Sequence, residues 1–273
     1  MEKILLPLDG QHQNTYAVDF ACFLARLTRS KLTAVFLEGA ADGTGTRKPL
    51  REPITLDEYV TAGADEDRLD TAIRQFRESC VCRDVPSRIH RDRGIPVQEL
   101  TNESRFADLI VLDPETSFAN IDHQQPAISI EKFIHDCECP IVIAPFNFKA
   151  IDTIYFAFDG SESSVYAIKQ FTYLFPELHT RKMVVITVVP ENEKAAPGIY
   201  LVKEWLQAHY QDVDYTTLNG NPADALFGYL LEKENSVIVV GAYGRGNISR
   251  ALNPSHARLL MKAVNLPLFI AHR

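Results

Sequence analysis

The chain contains no apolar run approaching the ~20 residues that cross a bilayer, so no membrane-spanning helix is expected. No Gly-x-Ser-x-Gly elbow, no Gly-x4-Gly-Lys-Ser/Thr loop and no His-Glu-x2-His helix is present. These absences remove the α/β-hydrolase, P-loop and zincin chemistries. Positive charge is not in excess: the net charge is −8. Residues 1–148 hold 16 Lys and Arg against 24 Asp and Glu, and residues 149–273 hold 12 against 12. An acidic half repels a phosphodiester backbone, which argues against a nucleic-acid binder. The neutral half is the easier place for a small polyanion. Cysteine is sparse, with Cys22, Cys80, Cys82, Cys137 and Cys139. The two Cys-x-Cys pairs precede different strands, at opposite edges of the sheet in the strand order given below. One tetrahedral metal site from both pairs is therefore out of reach, and reduced thiols with no metal are expected. No signal peptide precedes the first strand pattern, so a cytoplasmic protein is expected.

What the chain does have is a repeat. KILLPLDG at 3–10 recurs as TIYFAFDG at 153–160, and Tyr16-Ala17 recurs as Tyr166-Ala167. ADLIVLD at 107–113 corresponds to NSVIVVG at 235–241, and CPIVIAPF at 139–146 to LPLFIAHR at 266–273. Two domains follow, 1–148 and 149–273. The first carries an insertion near 39–56, rich in Gly, Pro and charge, which reads as a lid or as a surface excursion.

Each copy alternates short apolar runs with helix-period segments, the signature of a parallel α/β sheet. Runs such as VVITVV are apolar on both faces, as strands covered by helices on both sides must be. In the first copy, strands are expected near 3–8, 32–38, 85–91, 107–112 and 140–145. In the second they are expected near 152–158, 182–189, 213–218, 236–240 and 267–272. The first helix, near 14–29, places Ala17, Phe20, Ala21, Leu24 and Leu27 on one face.

Ligands of open parallel sheets sit beyond the carboxyl ends of the strands, where the strand order reverses. Asp159 closes the first strand of copy two, and Gly241 follows its fourth. The loop Gly241-Ala242-Tyr243-Gly244-Arg245-Gly246 then has a physical use. Its glycines let the backbone approach a phosphate, and its successive amides form an anion nest. A helix beginning near Ser255 adds free N–H donors. Arg245 either meets phosphate or points to solvent. Tyr243 and Trp205 read as packing residues, and His256 as a helix-surface histidine.

On these residues the whole chain resembles a tandem universal stress protein. The family's ATP-binding pattern is Gly, two residues, Gly, nine residues, then Gly followed by Ser or Thr. Here Gly241, Gly244 and Ser255 match in register, while Pro254 stands at the last glycine. The resemblance implies two Rossmann-like α/β domains, each a five-stranded parallel sheet in order 3-2-1-4-5. It implies ATP or AMP in the second domain, held by Asp159, Val189, Gly241, Gly244, Arg245, Gly246 and Ser255, with Val189 at the strand end that meets adenine. Copy one has Asp113 and Thr116 at the glycine positions and Pro126-Ala127 at the Pro254-Ser255 position, so no nucleotide is expected there. A carboxylate facing phosphates carries a direct Coulombic cost, and Asp9 is then a turn or cap residue.

Family members often dimerise through their last strands. PIVIAPF and PLFIAHR could make that pairing within one chain, and two chains could also associate as a homodimer. No catalysis is expected. Adenylating relatives of this fold use a Ser-Gly-Gly-x-Asp-Ser loop after the first strand, and DGSESS (159–164) lacks its paired glycines. The resemblance implies a stress-response protein with a nucleotide as ligand or switch and a protein partner of unknown identity. The alternative is a nucleotide-free scaffold that keeps the fold.

Overall fold

The computed structural model describes residues 1–8, 15–37, 56–92, 96–114, 130–189, 196–242 and 264–271. The chain divides into two compact units, Met1–Cys139 and Pro140–Arg273.

In the first unit, β1 (Lys3–Leu8), α1 (Thr15–Thr28), β2 (Lys31–Leu37), α2 (Leu56–Cys82), β3 (Ser87–Asp92), α3 (Pro96–Ser104), β4 (Leu109–Leu112) and α4 (Ile130–Asp136) follow in chain order. Strand β1 pairs in parallel with β2 and β4, and β2 pairs in parallel with β3. The order is therefore β3-β2-β1-β4. Crossover helices between parallel strands cover the sheet, so β1 and β4 are buried almost from end to end. Helix α1 buries Ala17, Phe20, Ala21 and Leu24 as the 3.6-residue period requires, and Leu27 is half-buried. Strand β4 enters the sheet beside β1 through Asp108. Its carboxylate accepts from the amides of Glu2 (2.7 Å) and Lys3 (2.9 Å), while its own N–H donates to the Lys3 carbonyl.

The second unit holds β5 (Ile141–Ile143), β6 (Thr153–Ala157), α5 (Glu162–Leu174), a short 3₁₀ turn at Pro176–Leu178, β7 (Lys182–Val189), α6 (Ile199–Gln207), β8 (Val213–Asn219), α7 (Pro222–Leu230), β9 (Ser236–Gly241) and β10 (Leu268–Ala271). Parallel pairs β6–β7, β6–β9, β7–β8 and β9–β10 give the order β8-β7-β6-β9-β10, which is 3-2-1-4-5 as the resemblance implied. Strand β5, the fifth strand of copy one in the repeat, pairs antiparallel with β10, the pairing of PIVIAPF with PLFIAHR that the resemblance implied. Its register sets Ile143 opposite Leu268 and Ile141 opposite Ile270. Asn265 fastens the exit of β5: its Oδ1 accepts from the amides of Phe146 (2.8 Å) and Asn147 (3.2 Å), and its Nδ2 donates to the Asn147 carbonyl.

Phenylalanines build the core of the second unit. Phe171 of α5 meets Phe156 of β6 edge-on at 5.8 Å and Phe269 of β10 at 5.3 Å, and Phe175 closes the group. Such edge-to-face pairs add to the area they bury. The outer strand β8 has only half-buried and exposed residues, as an edge strand does.

Candidate functional site

Strand β6 has neighbours on both sides whose chain connections run in opposite directions, so its carboxyl end is the switch point of the second unit. The residues that follow β6 form one continuous turn. Phe158 still donates to the Ile186 carbonyl at 2.9 Å. Half-buried Asp159 then turns back and accepts from the Ser161 amide at 3.0 Å. Gly160 takes φ 77°, in the left-handed region where a side chain is strained. Ser161 caps α5: its Oγ accepts from the Ser164 amide at 3.1 Å, and the Ser164 hydroxyl donates to the Ser161 carbonyl at 2.8 Å. The polar run DGSESS is thus a turn followed by a helix N-cap, which is what Asp, Gly and Ser do at a helix start.

Two helix starts crowd the crevice. A Cβ on Gly160 would stand 2.7 Å from the carbonyl oxygen of Pro197, just ahead of α6. A Cβ on Gly241 would stand 2.3 Å from the carbonyl carbon of Ser163 and 2.4 Å from the Ser164 nitrogen, in the first turn of α5. Gly241 therefore allows α5 to close against the end of β9. Its lack of a side chain serves helix–strand packing, a role beside the phosphate approach read from the sequence. Ser163 and Ser164 are buried by the same contact.

Val189 ends β7 opposite Asn219, and its carbonyl accepts from the Gly220 amide at 3.3 Å. That carbonyl is turned toward β8. Successive residues of a strand point their backbone groups to alternate edges, so the carbonyl on the β6 side of this strand end belongs to Val188. The sequence pattern did not reveal Ser163, Pro197 or Val188 as neighbours of the crevice. A Pro-Gly pair before a helix was the only signal at Pro197. Of the other residues named from the sequence, Gly244, Arg245, Gly246 and Ser255 lie outside the described residues, as do Tyr243, Pro254 and His256.

In the first unit, Asp113 follows β4 at the position that Gly241 holds after β9, and it is buried. Asp9, Thr116, Pro126 and Ala127 lie outside the described residues. Among the described residues, no three His, Cys, Asp or Glu side chains gather as metal ligands, and no helix is long and apolar enough to cross a membrane.

The topology defines a doubly wound α/β protein whose second unit has its switch point at the carboxyl end of β6. Comparison with known proteins carries this further. No family model matches the chain. Universal stress protein Slr1230 of Synechocystis is 19% identical, with 98% of each sequence covered. Among solved structures, a universal stress protein from Archaeoglobus fulgidus matches 99% of this chain and 98% of its own, with a TM-score of 0.69 at 14% identity. The functionally unknown protein PA1789 from Pseudomonas aeruginosa matches 100% of this chain and 92% of its own, with a TM-score of 0.55 at 15% identity. The chain thus has the fold of the universal stress proteins and resembles that family over its whole length.

Proposed function

We propose that the second unit binds an adenine nucleotide, ATP or AMP, in the crevice above β6, and that the protein acts in a stress response with this nucleotide as ligand or switch rather than as substrate. The observation that carries the reading is the switch point itself. Asp159 stands half-buried at the end of the central strand, and the loop that begins at Gly241 leaves the neighbouring strand on the same side of the sheet. The sequence of that loop, GAYGRGN, offers successive amides to an anion in this reading, and Ser255 offers a hydroxyl where the sequence pattern predicts the start of a helix. In this reading Asp159 holds the ribose end, the Val188–Val189 strand end borders the base, and Gly244, Arg245, Gly246 and Ser255 serve the phosphates. Pro254 removes one N–H donor from the phosphate cradle. A hydrogen bond to a charged group contributes about 1.5–3 kcal/mol, so the proline weakens the site roughly 10- to 100-fold.

Calorimetric titration of the full chain with ATP and with AMP tests this. Dissociation constants in the micromolar to submillimolar range are expected, with binding abolished by Gly244→Glu and tightened by Pro254→Gly. Heat at the level of dilution for wild type up to several millimolar nucleotide would overturn it. Steady phosphate or pyrophosphate release, lost in Asp159→Ala, would make the protein an enzyme and overturn the ligand role.

One observation favours a nucleotide-free scaffold as the second reading. Asp159, Gly160 and Gly241 each already serve the local packing of α5 and α6, so the fold has reason to keep them without a ligand.

A further inference from the structure

Cys22 of α1 and Cys80 of α2 face each other in the first unit with their sulfur atoms 4.0 Å apart, and both side chains are fully buried. Neither takes part in the nucleotide reading, which concerns the other unit. The surroundings treat the two thiols differently. Donation from the Cys22 thiol, the hydroxyl of Ser87 and the guanidinium of Arg83 together hold the Cys80 thiol below its ordinary value, against the opposing effect of burial. The bond to Cys80 and burial push Cys22 up. Arg83 is itself anchored, donating to the Asp19 carboxylate on α1 and to the Ser79 carbonyl on α2. A groove of about 370 Å³ runs along the α1–α2 seam, lined by Val18, Ser79, Cys82 and Arg83 among others. Val18 is one helical turn from Cys22 and Ser79 precedes Cys80, so the groove runs along the same seam, while the two buried cysteines do not line it.

We propose that Cys22 and Cys80 are a latent disulfide, closed by a small two-electron oxidant of the hydrogen peroxide class, which cross-links α1 to the end of α2. Two sulfurs at 4.0 Å must approach by about 2 Å to reach the bonding distance. Rotation about the two Cα–Cβ bonds is the movement that closing the bond requires. The deprotonated Cys80 sulfur attacks one peroxide oxygen. The O–O bond breaks, Cys80 becomes a sulfenic acid, and the departing hydroxide takes up the Cys80 proton as water. The Cys22 sulfur then attacks the Cys80 sulfur, the S–O bond breaks, and the second hydroxide leaves as water with the Cys22 proton. Two thiols lose two electrons and two protons, and one peroxide becomes two waters. The bond would span 58 positions of sequence and close the chain between α1 and the end of α2 into a covalent loop. Cross-linking a loop of that length restricts the unfolded chain strongly.

The test is peroxide treatment of the folded full-length protein, trapping of remaining thiols with an alkylating reagent, and peptide mapping by mass spectrometry. A Cys22–Cys80 cross-linked peptide, lighter by two hydrogens and released by dithiothreitol, is the expected product. It should be accompanied by a rise of the thermal midpoint of the first unit by roughly 5 °C or more. Cys22→Ser should abolish the cross-link and leave Cys80 to gain oxygen atoms instead, while Cys82→Ser and Cys137→Ser should leave the cross-link intact. Far-UV circular dichroism checks that the variants are folded, and the wild-type map stands without them. Recovery of Cys22 and Cys80 as alkylated thiols while Cys82 is oxidised would overturn the proposal. So would a cross-link from either residue to a different cysteine.

Discussion

Gly241 and Gly228 look alike in sequence and differ completely in surroundings. The nearest atoms to a methyl group on Gly241 would be backbone of the first turn of α5, at 2.3–2.4 Å, and a helix turn cannot step aside as a flexible side chain can. Gly241→Ala should therefore destabilise the second unit by about 2–3 kcal/mol, as overpacking does. Gly228, exposed within α7, has nothing within 4 Å, so Gly228→Ala should stabilise by about 0.5–1 kcal/mol. Urea titration of both variants checks the pair of opposite signs. Tyr210 makes a second prediction at this scale. Its hydroxyl donates to Thr172 Oγ1 at 2.7 Å, and Thr172 in turn donates to the Ile168 carbonyl. Burial pushes the Tyr210 hydroxyl up to about 12, from an ordinary 10. A tyrosine raised in the folded state keeps its full contribution below pH 10 and loses it as pH rises through 12, because the unfolded chain then ionises first. Denaturant titrations from pH 8 to 12 should show wild-type stability falling by about 2 kcal/mol more steeply than that of Tyr210→Phe. At pH 7 the variant should lose about 1 kcal/mol through the missing hydrogen bond.

At the level of elements, helix starts and strand edges are held by single polar residues. Asn221 caps α7 with its Oδ1, accepting from the amides of Ala223 (2.9 Å) and Asp224 (3.3 Å), and Pro222 takes the first helical position, where no amide is needed. Asn221→Ala should cost about 1 kcal/mol, read as a lowered urea midpoint with an unchanged slope. In the first unit, Glu103 of α3 joins β1 to β3, through Lys3 at 2.9 Å and His90 at 2.6 Å. Burial raises the Glu103 carboxyl, but the Lys3 ammonium and the His90 ring outweigh it and hold the group below its ordinary 4.5. A carboxylate lowered in the folded state adds stability above pH 4.5, and that stability is lost as pH falls through the folded value. Glu103→Gln should accordingly be about 1 kcal/mol less stable than wild type at pH 7, and the two should converge below pH 4 in acid titrations followed by circular dichroism. These polar anchors were only partly legible beforehand. Asn-Pro at 221–222 announces a helix start from local chemistry alone. The Lys3–Glu103–His90 group depends on strand order, because its members stand about 100 positions apart at the extremes and only the β1–β2–β3 and α3 packing brings them together.

For the whole molecule, ligand linkage separates the two functional readings. A nucleotide that binds only the folded second unit stabilises that unit by RT ln(1 + [L]/Kd), about 1.4 kcal/mol at a tenfold excess over Kd. Thermal melts in 5 mM ATP should thus show a raised midpoint for wild type, a larger rise for Pro254→Gly and none for Gly244→Glu. Equal melts with and without nucleotide in all three proteins would leave the scaffold reading standing.

The sequence by itself determined the two-fold repeat, the parallel α/β class and nearly every strand in the described residues, because these follow from local periodicity: apolar runs must be covered on both faces, and Asp-Gly after such a run must turn. It also marked Asp159 and Gly241 as the ends of strands that share a switch point. Tertiary structure alone decided the rest. It gave the ladder of β5 with β10, expected from the resemblance, its antiparallel sense and its register. It showed that Gly241 makes room for the first turn of α5 and that the Val189 carbonyl is taken by Gly220. It also set Cys22, rather than the neighbouring Cys82, against Cys80. Each of these is a contact between segments distant in sequence, decided by which helix face meets which strand end once the sheet has formed.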